Sequence, residues 1–185
     1  MNKTERDAAA KEGSLRLMSK GEIVLARTVF RDKIDYHKVW IHKDSYLPFG
    51  LQNEAVAMTP KGEIYYRPPL YRNDFADLAQ SDLADRHTFI HELSHVWQRQ
   101  RGMCVICRGL ISWLASYRYE LDGRLLSEYP MEQQAQIIAD NFLLASEGYN
   151  TFMEYRRRSY VTLDGNLDES LISQKYKHAL RGFPW

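Results

Sequence analysis

The residues best placed for chemistry are the two histidines and the glutamate of His91-Glu92-Leu93-Ser94-His95. On an α-helix, residues four apart lie one turn above each other on the same face, with about 5–6 Å between their Cβ atoms. Two imidazoles at that spacing can bind one Zn²⁺ ion at nitrogen–zinc distances of about 2.0–2.1 Å. Glu92 borders the same face, where its carboxylate can take a proton from a water molecule that zinc makes acidic. The pattern predicts the core of a zinc peptidase site.

The neighbouring residues favour a packed helix around this motif. Ile90, Leu93, Val96 and Trp97 follow the spacing of one buried helical stripe, and the two histidines lie on the opposite side, where we expect a cleft. The same pattern also arises by chance in about one per cent of chains of this length. Most chance occurrences would fall in loops or on solvated faces, so the helical context favours a metal site.

A third metal ligand must come from elsewhere, because catalytic zinc usually has three protein ligands and one open position. We predict Glu132, in the first turn of a second predicted helix, where the helix dipole favours an ionised carboxylate. An ordinary solvated glutamate would also suit that position. The competing acidic residues are Glu120, Asp122, Glu128 and Asp140. The third histidine of the metzincin motif is absent, since no histidine follows the motif until His178.

The roles of several polar neighbours stay open at this point. His87 lies one turn before the motif, so it either supports the metal ligands or is an unrelated neighbour, and we favour the second. Gln98, one turn after the motif, could equally be structural. One tyrosine could donate a hydrogen bond to the oxyanion that forms when water attacks a carbonyl. The candidates lie between the motif and Glu132: Tyr117, Tyr119 and Tyr129.

Length and composition indicate an ordinary globular domain. The chain has 185 residues, of which 44% are hydrophobic and 26% charged, enough for one domain with its own core. A net charge of +1 gives no general electrostatic reason to expect nucleic acid or an anionic membrane as partner. No apolar run approaches the roughly 18 residues of a membrane span. The sequence of residues 1–8 lacks an apolar signal region, so we expect synthesis in the cytoplasm without a signal peptide.

The two cysteines, Cys104 and Cys107, have the Cys-x-x-Cys spacing of a redox pair or of half a zinc site. A structural zinc would need two further ligands, and the sequence signals of a redox βαβ unit are missing. We favour the simpler interpretation, two thiols beside a packed segment.

Local signals predict a mobile segment over residues 1–14 and one α+β domain over 15–185. Ser19-Lys20-Gly21-Glu22 matches a capping box that opens a helix through Phe30. A hairpin is predicted where residues 54–58 and 63–66 flank a Pro- and Gly-containing turn, and its edge could pair with an extended peptide. The other predicted elements are a strand at 38–42, helices at 81–100 and 130–146, a short helix at 171–179 and an ambiguous helix at 110–119.

Beyond the motif, an ordered set of segments resembles a bacterial zincin-like family. Its members occur as C-terminal extensions of type VI secretion spike (VgrG) proteins and as small Vgr-related or Rhs-associated proteins. The segments that carry the resemblance are 19–27, 34–36, 39–42, 57–65, 89–98 and 132–135. The ordered set is more specific than the peptidase motif alone.

The resemblance implies a zincin-like metallopeptidase domain, with an active-site helix beside a small β-sheet. His91, His95 and Glu132 would bind zinc, and Glu92 would act as the general base. It also implies an antibacterial effector that a type VI machine delivers into the periplasm of a target cell, with a cognate immunity protein in the producer. Two features depart from the family pattern. Because the sequence starts at Met1 without a spike domain, we expect delivery as cargo or through an adaptor, and the Cys104–Cys107 pair is not typical of the family.

Two other functions remain open on sequence grounds. The first is a non-catalytic zinc-binding domain that docks on a spike or envelope partner. The second is a housekeeping peptidase without an antibacterial role. The substrate, a peptide or protein, is not defined by the sequence.

Overall fold

The computed structural model describes residues 11–103, 116–165 and 168–185. These residues form a mixed α+β architecture, as predicted, but with two small sheets instead of one. In the three-stranded sheet, the central strand is antiparallel to the first strand and parallel to the third. Its strands are β1 (Ser14–Leu17), β2 (Trp40–Lys43) and β3 (Ile64–Tyr66). The two parallel strands of the second sheet are β4 (Tyr119–Glu120) and β5 (Leu163–Asp164).

Helices supply most of the regular secondary structure in the described residues. The α-helices are α1 (Lys20–Phe30), α2 (Leu83–Gln100), α3 (Met131–Arg157) and α4 (Glu169–Ala179). Short 3₁₀ turns lie at Tyr36–Lys38, Pro48–Gly50 and Leu126–Glu128. Within the described parts of the chain, no helix is long and apolar enough to cross a bilayer. Cys104, Cys107 and most of the ambiguous segment 110–119 lie outside the described residues.

The capping box predicted at the start of α1 is confirmed. The Ser19 hydroxyl accepts a hydrogen bond from the Glu22 backbone N–H, and the Glu22 carboxylate accepts one from the Ser19 N–H. Glu22 is fully buried, and it also accepts two 2.7 Å bonds from the Arg16 guanidinium and one from the Phe75 N–H. A buried carboxylate with this many donors is fully compensated, and it fastens β1 and the loop before α2 to the start of α1.

Helices α2 and α3 form the centre of the domain and pack against each other. Asp82 caps α2 through a reciprocal bond with Asp85, so the helix begins where the sequence predicts it. Every residue from Phe89 to Gln98 is buried, because α2 is covered by neighbours on both its apolar and its polar sides. The histidine motif therefore belongs to a helix that is buried in the interior of the domain.

Helix α3 extends further than the prediction of 130–146. Gly148 has a left-handed φ of 80° that interrupts the helix, and helical structure resumes as far as Arg157. Gly148 interrupts the helix close to the predicted end at residue 146. The last part of α3 nevertheless packs against the core, because the side chains of Phe152 and Tyr155 are buried there. The short helix predicted at 171–179 is confirmed as α4.

The predicted hairpin over residues 54–66 is wrong in extent. Its two arms share a single antiparallel bridge between Met58 and Tyr65, while β3 pairs in parallel with β2. The Gln52 side-chain amide donates to the Val56 carbonyl, which the next rung of the ladder would use, and to the Tyr65 carbonyl, which also accepts from Met58 in the existing bridge. A side chain just before the predicted hairpin thus replaces part of the ladder that local turn signals predict.

Candidate metal centre

His91, His95 and Glu132 meet at the contact between α2 and the first turn of α3. Their ligand atoms lie within 4.8 Å of one another, the only such His/Cys/Asp/Glu group of three among the described residues. Glu132 Oε2 is 3.1 Å from His95 Nε2 and 3.5 Å from His91 Nε2. All three residues are buried, at 5–8% exposure. The structure thus brings together two histidines one turn apart and a carboxylate from a different helix.

The donor set and the two distances to Glu132 fit a tetrahedral zinc ion. Ligand bonds of about 2.0–2.1 Å at tetrahedral angles place neighbouring ligand atoms about 3.3–3.4 Å apart. The two observed distances to Glu132 fall on either side of that value. Two imidazoles and one carboxylate are also a ligand combination of catalytic zinc sites that leave a position for water.

The charges at the site favour an ionised Glu132. Burial opposes that ionisation, but hydrogen bonds from His91 and His95 outweigh it and hold the pKa of Glu132 well below its usual range. Burial also disfavours charge on His95, yet the hydrogen bond and the negative charge of Glu132 raise its pKa to about 9. The carboxylate is therefore available to a cation, and a metal ion would displace the proton on His95 Nε2.

Glu92 faces the same region and is held by a residue that the sequence does not point to. The Thr59 hydroxyl donates a 2.6 Å hydrogen bond to Glu92 Oε2, and both side chains are about 5% exposed. Thr59 begins the turn between Met58 and β3. The two residues are 33 positions apart, so no local sequence pattern signals the contact. The bond fixes one carboxylate oxygen and leaves the other open to further partners.

Among the candidate tyrosines, the structure places only Tyr117 beside the histidines. Its ring centroid is 5.8 Å from that of His91. Burial, followed by the charges of Glu132 and Glu92, raises the pKa of Tyr117 to about 12, so its hydroxyl keeps its proton near neutral pH. The Tyr119 hydroxyl donates instead to Asp140, and the Tyr129 hydroxyl donates to the Glu120 carbonyl.

Gln133 holds the segment that carries Tyr117 against α3. Its side-chain amide donates a 2.8 Å bond to the Arg118 carbonyl and a longer one to the Ser116 carbonyl. Because Gln133 directly follows Glu132 in the sequence, the first turn of α3 supplies the third member of the cluster and also positions the tyrosine next to it.

The other acidic candidates for the third ligand have different partners. Asp140 Oδ1 is 2.7 Å from His87 Nε2, in a buried group that includes Tyr119 and Gln136. His87 therefore pairs with a residue that lies about two helical turns after Glu132 on α3, outside the cluster. This agrees with the favoured interpretation of His87 as a neighbour unrelated to the metal ligands. Glu128 accepts a hydrogen bond from the Leu125 N–H, Asp122 binds Arg124, and Glu120 lies exposed in β4.

The chain is similar to a known protein in sequence and to a solved domain in structure. The chain is 37% identical over 139 residues to the type VI secretion system spike protein VgrG2b of Pseudomonas aeruginosa strain PAO1. That match covers 71% of this chain but only 13% of the spike protein. The solved effector domain of P. aeruginosa VgrG2b superposes with a TM-score of 0.66 at 33% identity, covering 86% of this chain and 90% of the domain. No protein-family model matches the chain.

Fold and site together define an α+β domain whose central helix pair carries a buried His–His–Glu cluster. The structural match covers most of both chains, which shows the family to which this chain belongs. The chain belongs to the family of type VI secretion VgrG-associated effector domains that includes the effector domain of VgrG2b.

Proposed function

We propose that this chain is a zinc-dependent metallopeptidase of the zincin type and acts as a type VI secretion effector. The observation that carries the proposal is the convergence of His91, His95 and Glu132 beside Glu92 on one buried helix pair. These three residues would hold the ion. Zinc, when bound, would polarise the substrate carbonyl and make a water molecule acidic enough to lose a proton near neutral pH.

Glu92 is the proposed general base. It directly follows His91 in α2, and its negative charge acts on both His95 and Tyr117, which supports a position of its carboxylate close to the cluster. The carboxylate would accept a proton from the attacking water and pass it to the leaving amine. Thr59 would keep the carboxylate in place during both transfers, because its hydroxyl already donates to Glu92 Oε2.

Tyr117 is the proposed donor to the oxyanion. It adjoins His91, and its raised pKa keeps the hydroxyl protonated at the pH where a peptidase of this type would work. A hydroxyl hydrogen bond at that point would stabilise the negative charge that develops on the carbonyl oxygen.

Residues 57–59 are the proposed binding edge for an extended peptide. Met58 makes both of its backbone hydrogen bonds with Tyr65, on the inner side. In an antiparallel bridge of this kind, the backbone groups of the two flanking residues point the other way. Ala57 and Thr59 would therefore offer an N–H and a carbonyl each to a substrate strand, directly next to Glu92.

The biological setting follows from the relatives by analogy. Membership in a family of spike-associated effector domains supports secretion by a type VI system and association with a VgrG or Rhs spike or an adaptor. We further propose that the chain acts in the periplasm of the target cell and that the producer carries an immunity protein. Because the chain spans 13% of the spike protein it matches, the activity of that whole protein is not transferred to it.

The decisive test of the enzyme proposal is Glu92→Gln, which preserves shape and removes the base. Wild type and variant would be expressed in a susceptible bacterium with and without a periplasmic signal sequence. Purified proteins would be incubated with a mixed peptide library and analysed by mass spectrometry. We expect wild type to inhibit growth from the periplasm and cleave peptides, and the variant to lose at least about 10²-fold of the cleavage rate while retaining zinc.

Other outcomes of this test separate the remaining functions. Toxicity that survives in a zinc-loaded Glu92→Gln protein would indicate a binding module that does not need catalysis. Peptide cleavage without growth inhibition in either compartment would indicate a housekeeping peptidase. The first result would contradict the proposed catalytic activity, and the second would contradict the proposed role as an effector.

A further inference from the structure

Gln98 lies at the centre of a buried hydrogen-bond chain that starts on His95 and ends at the start of α3. Its Oε1 is 2.8 Å from His95 Nδ1, and its Nε2 is 3.0 Å from the Met131 carbonyl and 3.1 Å from Gln134 Oε1. Gln134 Nε2 donates a 2.7 Å bond to the Tyr129 carbonyl. Gln98 is fully buried and Gln134 nearly so.

Backbone carbonyls fix the direction of every bond in this chain. A carbonyl oxygen only accepts, so the nitrogen ends of Gln98 and Gln134 must face Met131 and Tyr129. The oxygen of Gln98 then faces His95 Nδ1, and since it carries no hydrogen, Nδ1 must be the donor. The surroundings of Gln98 thus require a proton on His95 Nδ1 and direct Nε2 toward Glu132.

The same amide also links the two helices that supply the cluster. Met131 is the first residue of α3 and directly precedes Glu132, while Tyr129 lies just before the capping Pro130. Pro130 has no capping side-chain bond of its own. The Gln98–Gln134 pair therefore occupies carbonyls on both sides of Pro130, and it sets the distance between the helix carrying His95 and the turn carrying Glu132.

We propose that Gln98 is a positioning residue that fixes the Nδ1–H tautomer of His95 and aligns Glu132 with its Nε2, so that the cluster is organised before metal binds. This inference rests on the proposed metal site and adds how that site is built. Partners that orient a metal-ligating histidine typically change metal affinity by about 10- to 100-fold when they are removed.

The test measures metal affinity and the protonation of His95 separately. Zinc affinity would be determined by competition with a chromophoric chelator for wild type, Gln98→Met and Gln98→Glu. Methionine matches the glutamine in length and removes all three hydrogen bonds, whereas glutamate keeps the acceptor for His95 Nδ1. We expect about 10- to 100-fold weaker binding for Gln98→Met and a smaller loss for Gln98→Glu.

Nitrogen-15 NMR of the zinc-loaded protein provides the readout that a purely structural role would not move. We expect a protected Nδ1–H resonance and a zinc-bound Nε2 for His95 in wild type, with that proton exchanging rapidly in Gln98→Met. Gln136→Met is the matched control, because it removes a buried glutamine on α3 that donates to Asp140 and to the Tyr160 carbonyl instead. It should leave zinc affinity unchanged.

The outcomes distinguish this inference from the proposed function. If wild type binds no zinc, the metal site itself is wrong. If wild type binds zinc but Gln98→Met binds equally well, or if His95 is ligated through Nδ1, only the role of Gln98 is wrong. If Gln98→Met fails to fold, the Gln98→Glu variant decides the question. The inference then requires that the Nδ1–H resonance of His95 persists in Gln98→Glu, and its loss would contradict the inference.

Discussion

Thr59 and Glu92 are joined by a 2.6 Å hydrogen bond between two buried side chains from separate parts of the fold. The bond connects the segment at the edge of β3 to the helix of the histidine motif. It therefore ties the proposed peptide-binding edge to the proposed general base. The orientation of the proposed base then depends on a residue of the proposed peptide-binding edge.

Replacing Thr59 with valine should preserve the fold and reduce catalysis. Valine has nearly the shape of threonine but cannot donate to Glu92, and hydrogen bonds to charged groups contribute about 1.5–3 kcal/mol. We expect the rate of peptide cleavage to fall roughly 10-fold or more, with zinc content unchanged. Thr59→Ser keeps the hydroxyl and serves as the control. Full activity in Thr59→Val would show that Glu92 needs no such support.

Tyr117→Phe should lower the turnover number and leave metal binding intact. Removing one oxyanion donor typically costs about 10²- to 10³-fold in kcat. Tyr129→Phe is the matched control, since the hydroxyl of Tyr129 is committed to the Glu120 carbonyl and to Asp122 away from the cluster. Steady-state kinetics on one cleaved peptide would compare the two variants. Equal kcat values would exclude Tyr117 from the reaction.

Substitution of Asp140 should lower stability but not zinc binding, whereas substitution of Glu132 should lower zinc binding. Both residues are buried carboxylates on α3 that contact histidines of α2. Asp140→Ala leaves His87 and the Tyr119 hydroxyl without their acceptor, which should lower the free energy of unfolding by about 3–5 kcal/mol. Zinc binding by the folded variant should persist. Urea titrations and metal analysis would check both expectations, and loss of zinc in this variant would place Asp140 in the metal site.

The metal-free protein should show a characteristic pH dependence of stability. Against the cost of burial, the pairing with Glu132 raises the pKa of His95 from 6.5 to about 9, so this contribution is complete below about pH 6.5 and is lost as pH rises through about 9. Burial raises the pKa of Glu132, but the hydrogen bonds and charges of His91 and His95 lower it by more, so the net pKa lies below its usual 4.5. The contribution of Glu132 to stability is therefore present above about pH 4.5 and is lost as pH falls through the lowered pKa.

The pair should therefore stabilise the fold most between about pH 4.5 and 6.5. Wild type and Glu132→Gln, both stripped with a chelator, would be unfolded in urea across this range and up to pH 9. The difference in their unfolding free energies should shrink as pH rises from 6 to 9. A difference that stays constant would mean that His95 and Glu132 do not form an ion pair.

The sequence predicts the parts of this site that depend on local geometry. Helical spacing places His91 and His95 one turn apart, and the position of Glu132 in a first helical turn is visible from Pro130 and the apolar stripe that follows. The capping box at Ser19 and the boundaries of α2 follow from the same short-range chemistry. These predictions succeed because each depends on residues within one or two helical turns.

Contacts between distant segments could not be predicted in this way. Nothing near Thr59 indicates that its hydroxyl meets Glu92, and the hairpin signal around it overlooks Gln52, whose amide occupies two of the carbonyls involved. Similarly, three tyrosines were equivalent by sequence, and only the packing of α3 separates Tyr117 from the other two. Tertiary hydrogen bonds decide these cases, and they leave no periodic pattern in the chain.

The central claim is that His91, His95 and Glu132 bind one metal ion together. Its most direct test is the zinc content of the purified protein, by elemental analysis, for wild type and for Glu132→Ala refolded or dialysed at equal zinc concentrations. The account predicts one zinc ion per chain in wild type and a substoichiometric amount in the variant. A wild-type protein without stoichiometric transition metal, or a variant that retains it fully, would contradict the account.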